Sequence, residues 1–380
     1  MKALFINMII TFINLMFFIP ISAQNIDFKG QAAGWVTVNK TDEVGFQTGL
    51  RYLPQLLMDI PLKNNFKFDS EFSADGFMNY TYLPDTGSIF SSKARLYRFW
   101  VRFSGDRFEI RAGLQKINFG SALMLRPLMW FDRIDPRDPL KLTTGVYSLL
   151  GKYYFKNNAN IWLWVLYGNK NTKGWELVPS NPKRPEIGGR LQFPVPRGEI
   201  AFTYHNRVGE FPDDWQPAVS GSHLFPEDRF GLDFKLDLGV GIWYEGTLVH
   251  QKQNEISPYT RSMTIGADYT FGIGDGLNIT AEHLWYEKSD KPFSGGTGLS
   301  FTGVSAGIPV SVISRISAIL FYDWKNKGWY RFANLAFTWD NLAINIIGFW
   351  NPQSFQIFNY ESGPNLFSGG GGQVMVVYNH

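Results

Sequence analysis

From residue 26 to residue 378 the chain repeats one pattern: apolar or aromatic positions alternate with polar or charged ones, in short runs broken by Gly, Pro, Asn and Asp. Alternation with a period of two is the signature of a β-strand with one greasy and one wet face. In 66–75, Phe66, Phe68 and Phe72 oppose Lys67, Asp69, Glu71, Ser73 and Asp75. In 93–103, Tyr97, Phe99, Val101 and Phe103 are expected on one face, with Leu96, Arg98, Trp100 and Arg102 on the other. The next run sets Phe108, Ile110, Ala112 and Leu114 against Arg107, Glu109, Arg111 and Gln115. Runs 186–193, 229–237 and 261–269 repeat the scheme. Charges that alternate with bulky apolar residues over whole strands require a wet interior, because a dry core nearly excludes them.

Eighteen such runs can be placed, with sixteen as the lower count because the boundaries near 303–314 are weakly marked. Their connections sort by parity. Those after odd-numbered runs fall at 39–44, 80–92, 120–145, 169–183, 208–228, 253–257, 289–295, 324–327 and 351–370, and most are long. Those after even-numbered runs fall at 61–64, 104–106, 156–158, 194–196, 237–239, 272–276, 307–309 and 340–341, and all are tight. A transmembrane antiparallel β-barrel with both termini in the periplasm has long loops outside and short turns inside. A soluble sandwich gives no reason for such sorting. The fold class expected is therefore all-β, a barrel of 16–18 strands.

Composition agrees. Aromatic residues make up 17% of the chain and charged residues only 18%, where roughly 25% charged is usual. After Phe18 no second long apolar run occurs, so a helical membrane span is not expected but an alternating barrel is. Residues 1–23 read as a signal peptide: Lys2, an apolar run to Phe18, Pro20, and small residues before a cut at Ala23/Gln24. That leaves 24–380 as one barrel, with no N-terminal plug domain before the strand expected at 26–38. Cysteine is absent, which excludes disulfides, thiolate metal sites, thiol nucleophiles and lipoprotein anchoring. The formal net charge of +3 is too balanced to argue for nucleic acid.

The run at 160–167 is apolar on both faces, so something is expected to pack on its inner side. The segment 120–145 is the longest connection. Leu123, Met124, Leu125, Leu128, Met129, Trp130 and Phe131 would form a large exposed apolar patch if it were held out in water. Pro127, Pro136 and Pro139 prevent a single helix. An inward fold is expected instead, which brings Arg126, Asp132, Arg133, Asp135, Arg137 and Asp138 near the lumen. The charged wall beneath it comprises Arg98, Arg102, Arg107, Arg111 and Glu109, beside Asp69, Glu71 and Asp75. It reads either as a paired network that keeps the lumen wet or as a transverse selectivity field. Trp100, Trp162, Trp164 and Trp243 are candidates for the inner face, packing under loops or guiding sugars.

The stretch R-A-G-L-Q-K-I-N-F-G at 111–120, followed by D-R-I-D-P-R-D at 132–138, resembles the porin-type barrels of the alginate-export class over about thirty residues. The resemblance implies a Gram-negative outer-membrane barrel with an inward third outer loop, and it does not imply alginate as solute. His205, His223, His250, His283 and His380 are isolated in sequence and suggest neither a metal site nor a catalytic triad. The expectation is a non-enzymatic channel without cofactor or metal, passing or exporting small hydrophilic solutes, anionic or sugar-like. Its partners would be outer-membrane lipid and either further copies of itself or an outer-membrane protein. The second reading is a scaffold that docks a partner on the outer loops 80–92, 208–228 and 351–370.

Overall fold

A computed structural model describes residues 25–40, 44–84, 87–211, 223–252, 257–353 and 367–380. Residues 1–23, expected to be a signal peptide, and most of the 208–228 and 351–370 segments lie outside the described residues. Eighteen strands follow in order: β1 Asn25–Lys40, β2 Val44–Pro61, β3 Lys67–Leu83, β4 Gly87–Gly105, β5 Phe108–Gln115, β6 Val146–Tyr154, β7 Asn160–Leu166, β8 Glu186–Val195, β9 Gly198–Glu210, β10 Leu224–Asp237, β11 Gly241–Gln251, β12 Tyr259–Phe271, β13 Leu277–Ser289, β14 Thr297–Pro309, β15 Ser314–Asp323, β16 Gly328–Thr338, β17 Leu342–Asn351 and β18 Gly369–Asn379.

Each strand pairs antiparallel with its sequence neighbours, and β1 closes on β18 with Gln31 opposite Asn379 and Lys40 opposite Gly370. Closure removes every sheet edge and satisfies the backbone without water, the condition for crossing a bilayer in strands. No helix among the described residues is long and apolar enough to cross a membrane. The upper count of eighteen is the one the structure adopts. The parity pattern holds: connections after even strands are short and lie on the rim that carries Asn25 and His380, while the long ones open on the opposite rim.

The sequence-based strand limits are corrected in three places. The 80–92 segment is not a loop but the paired ends of β3 and β4, with Tyr82 opposite Ser88. Alternation simply continues there, Tyr80 and Tyr82 facing out and Thr81 in. The turn near 307–309 sits at 310–313 instead. Most consequential is a bulge: Ser73 pairs with Arg98 but Ala74 pairs with Leu96, so Tyr97 is the extra residue. A bulge shifts alternation by one. Leu96 therefore faces outward with Phe99, and Tyr97 turns inward, its hydroxyl accepting the Thr143 N–H at 3.3 Å.

The outer wall is apolar and ends in aromatic girdles, with Phe28, Tyr52, Phe103 and Trp339 at the terminal rim and Tyr80, Trp285, Trp329 and Trp350 at the loop rim, all exposed. Such girdles mark the two interfaces of a membrane barrel. β1 to β4 are long, 16 to 19 residues. By contrast β5, β6 and β7 have only 7 to 9, and there the chain spends its residues on loops that turn into the barrel.

Candidate functional site: a lumen crossed by two loops

The 116–145 loop crosses the lumen and is held on every side. At its start, Ile117, Phe119, Leu128, Trp130 and Phe131 pack with Val146, Leu150, Trp164 and Leu166 of β6 and β7. Phe119 stacks on Trp164 with 5.6 Å between centroids. This is what covers the apolar inner face of β7. On the far side Met124 and Leu125 enter a cluster with Leu284, Phe301, Phe321, Tyr330, Phe332 and Phe349, from β13 to β17. Leu140 packs with Ala33, Met375 and Val377 of β1 and β18. Burial of each large apolar side chain is worth roughly 1.5–3 kcal/mol, so the inward fold is well supported.

Two carboxylates fix the backbone where it meets the far wall. Glu282 on β13 accepts the N–H groups of Leu123, Met124 and Leu125 at 2.6, 2.9 and 2.6 Å, and the Trp243 indole at 3.0 Å. Glu245 on β11 accepts Ala122 N–H at 2.7 Å and Leu128 N–H at 3.1 Å. Thr264 donates to the Leu125 carbonyl at 2.7 Å. Gly120 lies at φ +95, and a Cβ there would run into Glu245, so only glycine permits the approach. Sequence reasoning did not find Glu245 or Glu282. The available signal was one inward acid in each of two strands otherwise poor in inward charge.

The charges of the loop itself are mostly spent on its own fold. Arg126 is buried, donating to Asn118 at 2.7 Å and the Phe119 carbonyl at 3.1 Å and facing Asp132 at 3.6 Å. Burial pushes the Asp132 and Asp138 carboxyls up from the usual range, and it lowers Lys116. Asp138 accepts the N–H of Leu140 at 3.0 Å. Arg137 grips Asp135 through both nitrogens, 2.8 and 2.7 Å, and stacks over Phe332. Arg133 reaches the second inward loop, at Gly174 O and Thr172.

The second loop, 167–185, which the sequence marks only as a long connection at 169–183, also lines the lumen. Gly174, at φ +44, lies so close to the Met129 carbonyl that a Cβ would collide with it. Trp175 donates to the Arg126 carbonyl at 2.7 Å. Beneath it lies a buried ionic cluster: Arg207 on Glu227 at 2.7 Å and Glu176 at 3.3 Å, Arg229 on the same two, and Lys173 on Glu176 and Glu186. The Trp164 indole donates to His205 Nδ1, leaving Nε2–H for Glu186 at 3.0 Å. None of the five histidines joins a cluster of metal-ligating type among the described residues.

The wall below the loop divides into two roles. Arg98 is buried and clamps the returning loop, donating to the Thr143 carbonyl at 3.2 Å and hydroxyl at 2.6 Å. It is no part of an open path. Arg107 lies exposed at the β4–β5 turn on the terminal rim, because the strand ends before it. Asp75 is enclosed by Arg51 and Arg95 at 3.1 and 2.9 Å, and Glu71 takes the Trp100 indole N–H at 3.0 Å. Arg102, Arg111 and Lys152 are the part-exposed remainder, facing Asp69 and Glu109: Arg102–Asp69 2.8 Å, Lys152–Glu109 2.8 Å, Arg111–Glu109 3.8 Å. Arg111 lies over Trp100 and Lys152 over Trp162, at 4.7 and 3.9 Å from the ring centres. The other two of the four expected tryptophans, Trp164 and Trp243, are fully covered.

No protein-family model matches the chain, and no curated protein matches it in sequence. Solved structures do match. OccAB1 of Acinetobacter baumannii aligns with a TM-score of 0.56 at 9% identity, over 94% of this chain and 95% of that one. OmpF of Salmonella typhi, solved with daunomycin, aligns at 0.52 and 10% identity, over 95% and 99%. OmpT of Vibrio cholerae, an outer-membrane protein in trimer form, aligns at 0.50 and 9%, over 94% and 100%. At such identities the likeness is one of architecture. The chain has the fold of the Gram-negative outer-membrane porins, a closed barrel with an apolar, girdled exterior.

Proposed function

We propose that this protein is an outer-membrane channel for small hydrophilic solutes, with a preference for anions set below the 116–145 loop. One observation carries the reading. A closed barrel whose inner wall bears the part-exposed Arg102, Arg111 and Lys152 is crossed by a loop latched to the opposite wall. Three cations there keep exposed surface while Asp69 and Glu109 are buried against them and Glu71 is turned to the Trp100 indole, so the groups that face the lumen are mainly cationic. A barrel of this size leaves an aqueous path unless it is filled, and the two inward loops determine how wide that path is. The trimer form of the Vibrio cholerae barrel makes a homo-oligomer the assembly to test first. Exported 24–380, purified in detergent and added to a planar bilayer, should give discrete conductance steps and a reversal potential of anion-selective sign in a salt gradient. Folded protein that never conducts would overturn the channel and favour a scaffold.

A further inference from the structure

At the loop rim the outer wall carries a cation where lipid is expected. The sequence alternates Trp329, Tyr330, Arg331, Phe332, and the structure buries Tyr330 and Phe332 inside. Arg331 therefore points out of the barrel. Its guanidinium lies between two exposed indoles, 5.9 Å from the Trp329 ring centre and 5.0 Å from that of Trp350, its cross-strand partner. Among the described residues it has no carboxylate partner. Other outward cations of this rim do: Arg261 pairs with Glu287 at 2.8 Å and Lys252 with Asp228 at 2.8 Å.

Two more cations without an ion-pair partner among the described residues, Lys325 and Lys327, are exposed on the turn just above, and Trp324 between them and the wall is exposed as well. The nearby acid does not neutralise them. Asp323 is wholly buried on the inner face and accepts the N–H groups of Lys325 and Asn326, at 2.9 and 3.1 Å, which fixes the turn. Lys327 and Arg331 are separated by roughly 13 Å of strand, so their side chains can close on one group from above and below. On the same face Leu320 lies directly opposite Arg331 and Ile346 lies farther down, both exposed and apolar.

We propose that this corner of β15–β17 binds a phosphate-bearing lipid of the outer leaflet. The headgroup phosphate is held by Arg331, Lys325 and Lys327, and an acyl chain lies on Leu320 and Ile346. The proposal rests on the outer-membrane reading for its orientation, but not on conduction. Stacking on indoles stabilises the guanidinium without using its N–H donors, and a cation at this depth requires an anion. The lipid is favoured over free phosphate because the pair of tryptophans sits in the girdle, where bare phosphate would lose its water.

The test is native mass spectrometry of the full mature barrel in a non-ionic detergent, titrated with phosphatidylglycerol as the probe. Phosphatidylcholine and inorganic phosphate form parallel arms. The native protein should retain phosphatidylglycerol over phosphatidylcholine, and K325Q/K327Q/R331Q should weaken retention about tenfold or more. R331K, which keeps the charge, should retain most of it, and R315Q at the opposite rim should change nothing. Equal retention of both lipids, an unaffected triple variant, or displacement by inorganic phosphate would overturn the lipid site. A copy-dependent dimer lost in the triple variant would reassign the face to subunit contact. Heat-modifiable gel migration establishes folding for each variant, and conductance plays no part in the readout.

Discussion

Glu282 and Leu125 meet across the barrel at 2.6 Å, carboxylate to backbone N–H, although they are 157 residues apart. The same carboxylate also holds the two preceding N–H groups. Three loop N–H groups and the Trp243 indole converging on one carboxylate form a site that tolerates no apolar substitute, because hydrogen bonds to a charged group are worth about 1.5–3 kcal/mol. The loop is thus a latched element whose catch lies on β13.

Glu282→Ala should release the far end of the loop while leaving the barrel wall paired. Single-channel conductance should rise and become noisier, and Glu245→Ala should have a smaller effect because it holds two N–H groups rather than three. Single-channel recording decides: conductance and noise equal to the native trace in a folded variant would show that hydrophobic packing alone holds the loop.

The buried ionic cluster under the 167–185 loop should govern stability rather than conduction. Arg207→Ala leaves Glu227 and Glu176 short of one partner in a dry site, and such loss costs about 3–5 kcal/mol. Thermal melting followed by circular dichroism should show a lowered midpoint, with unchanged ion selectivity in the fraction that folds. A midpoint equal to native would mean that Arg229 and Lys173 carry the cluster by themselves.

Acid should tighten the 116–145 loop. Burial raises the Asp132 carboxyl in the folded loop, so the docked form binds a proton more readily than the released one. Its contribution to docking is complete below the ordinary aspartate range and is lost as pH rises through the raised value. Mean conductance should therefore fall as pH drops from neutral towards that range. Asp132→Asn, which replaces the titrating carboxyl with a neutral amide, should flatten this dependence; an unaltered pH profile in that variant would assign the response to other groups.

Much of this was legible in the sequence because a barrel writes its faces in a strict period of two. The alternation around Phe68 and Asp69 and the parity of the connections gave the architecture, and the proline-broken apolar run at 123–131 gave the inward loop. Where one residue breaks the period, the reading fails: the bulge at Tyr97 exchanged the faces of Leu96 and Tyr97. Partners across the lumen were invisible as well. Glu282 and Leu125 are joined only by closure of the barrel, and no local pattern marks which inward acid will meet a loop amide. The role of Arg98 failed for the same reason, since Thr143 approaches it from a segment 45 residues away.

Selectivity should follow exposure rather than sequence position. Arg102, Arg111 and Lys152 keep part of their surface in the lumen, whereas Arg98 is sealed against Thr143. Two unit charges about 4 Å apart interact by ~1 kcal/mol in bulk water and ~4 kcal/mol at an effective dielectric near 20. A constricted lumen lies between these limits, and ~1.4 kcal/mol already shifts an equilibrium tenfold. Asp69, Glu109 and Glu71 cancel part of the field, but Asp69 and Glu109 are buried behind their partners while the three cations keep more exposed surface, so the lumen-facing groups attract anions. R102S/R111S/K152S should therefore move the reversal potential in a salt gradient towards cations with the loop still latched. Arg98→Ser should do the opposite in kind, raising conductance by freeing the loop at Thr143 while leaving the sign of selectivity unchanged. If the triple variant keeps the native potential, these three cations serve only to pair the wall's carboxylates. If Arg98→Ser shifts it instead, the anion path runs behind the loop.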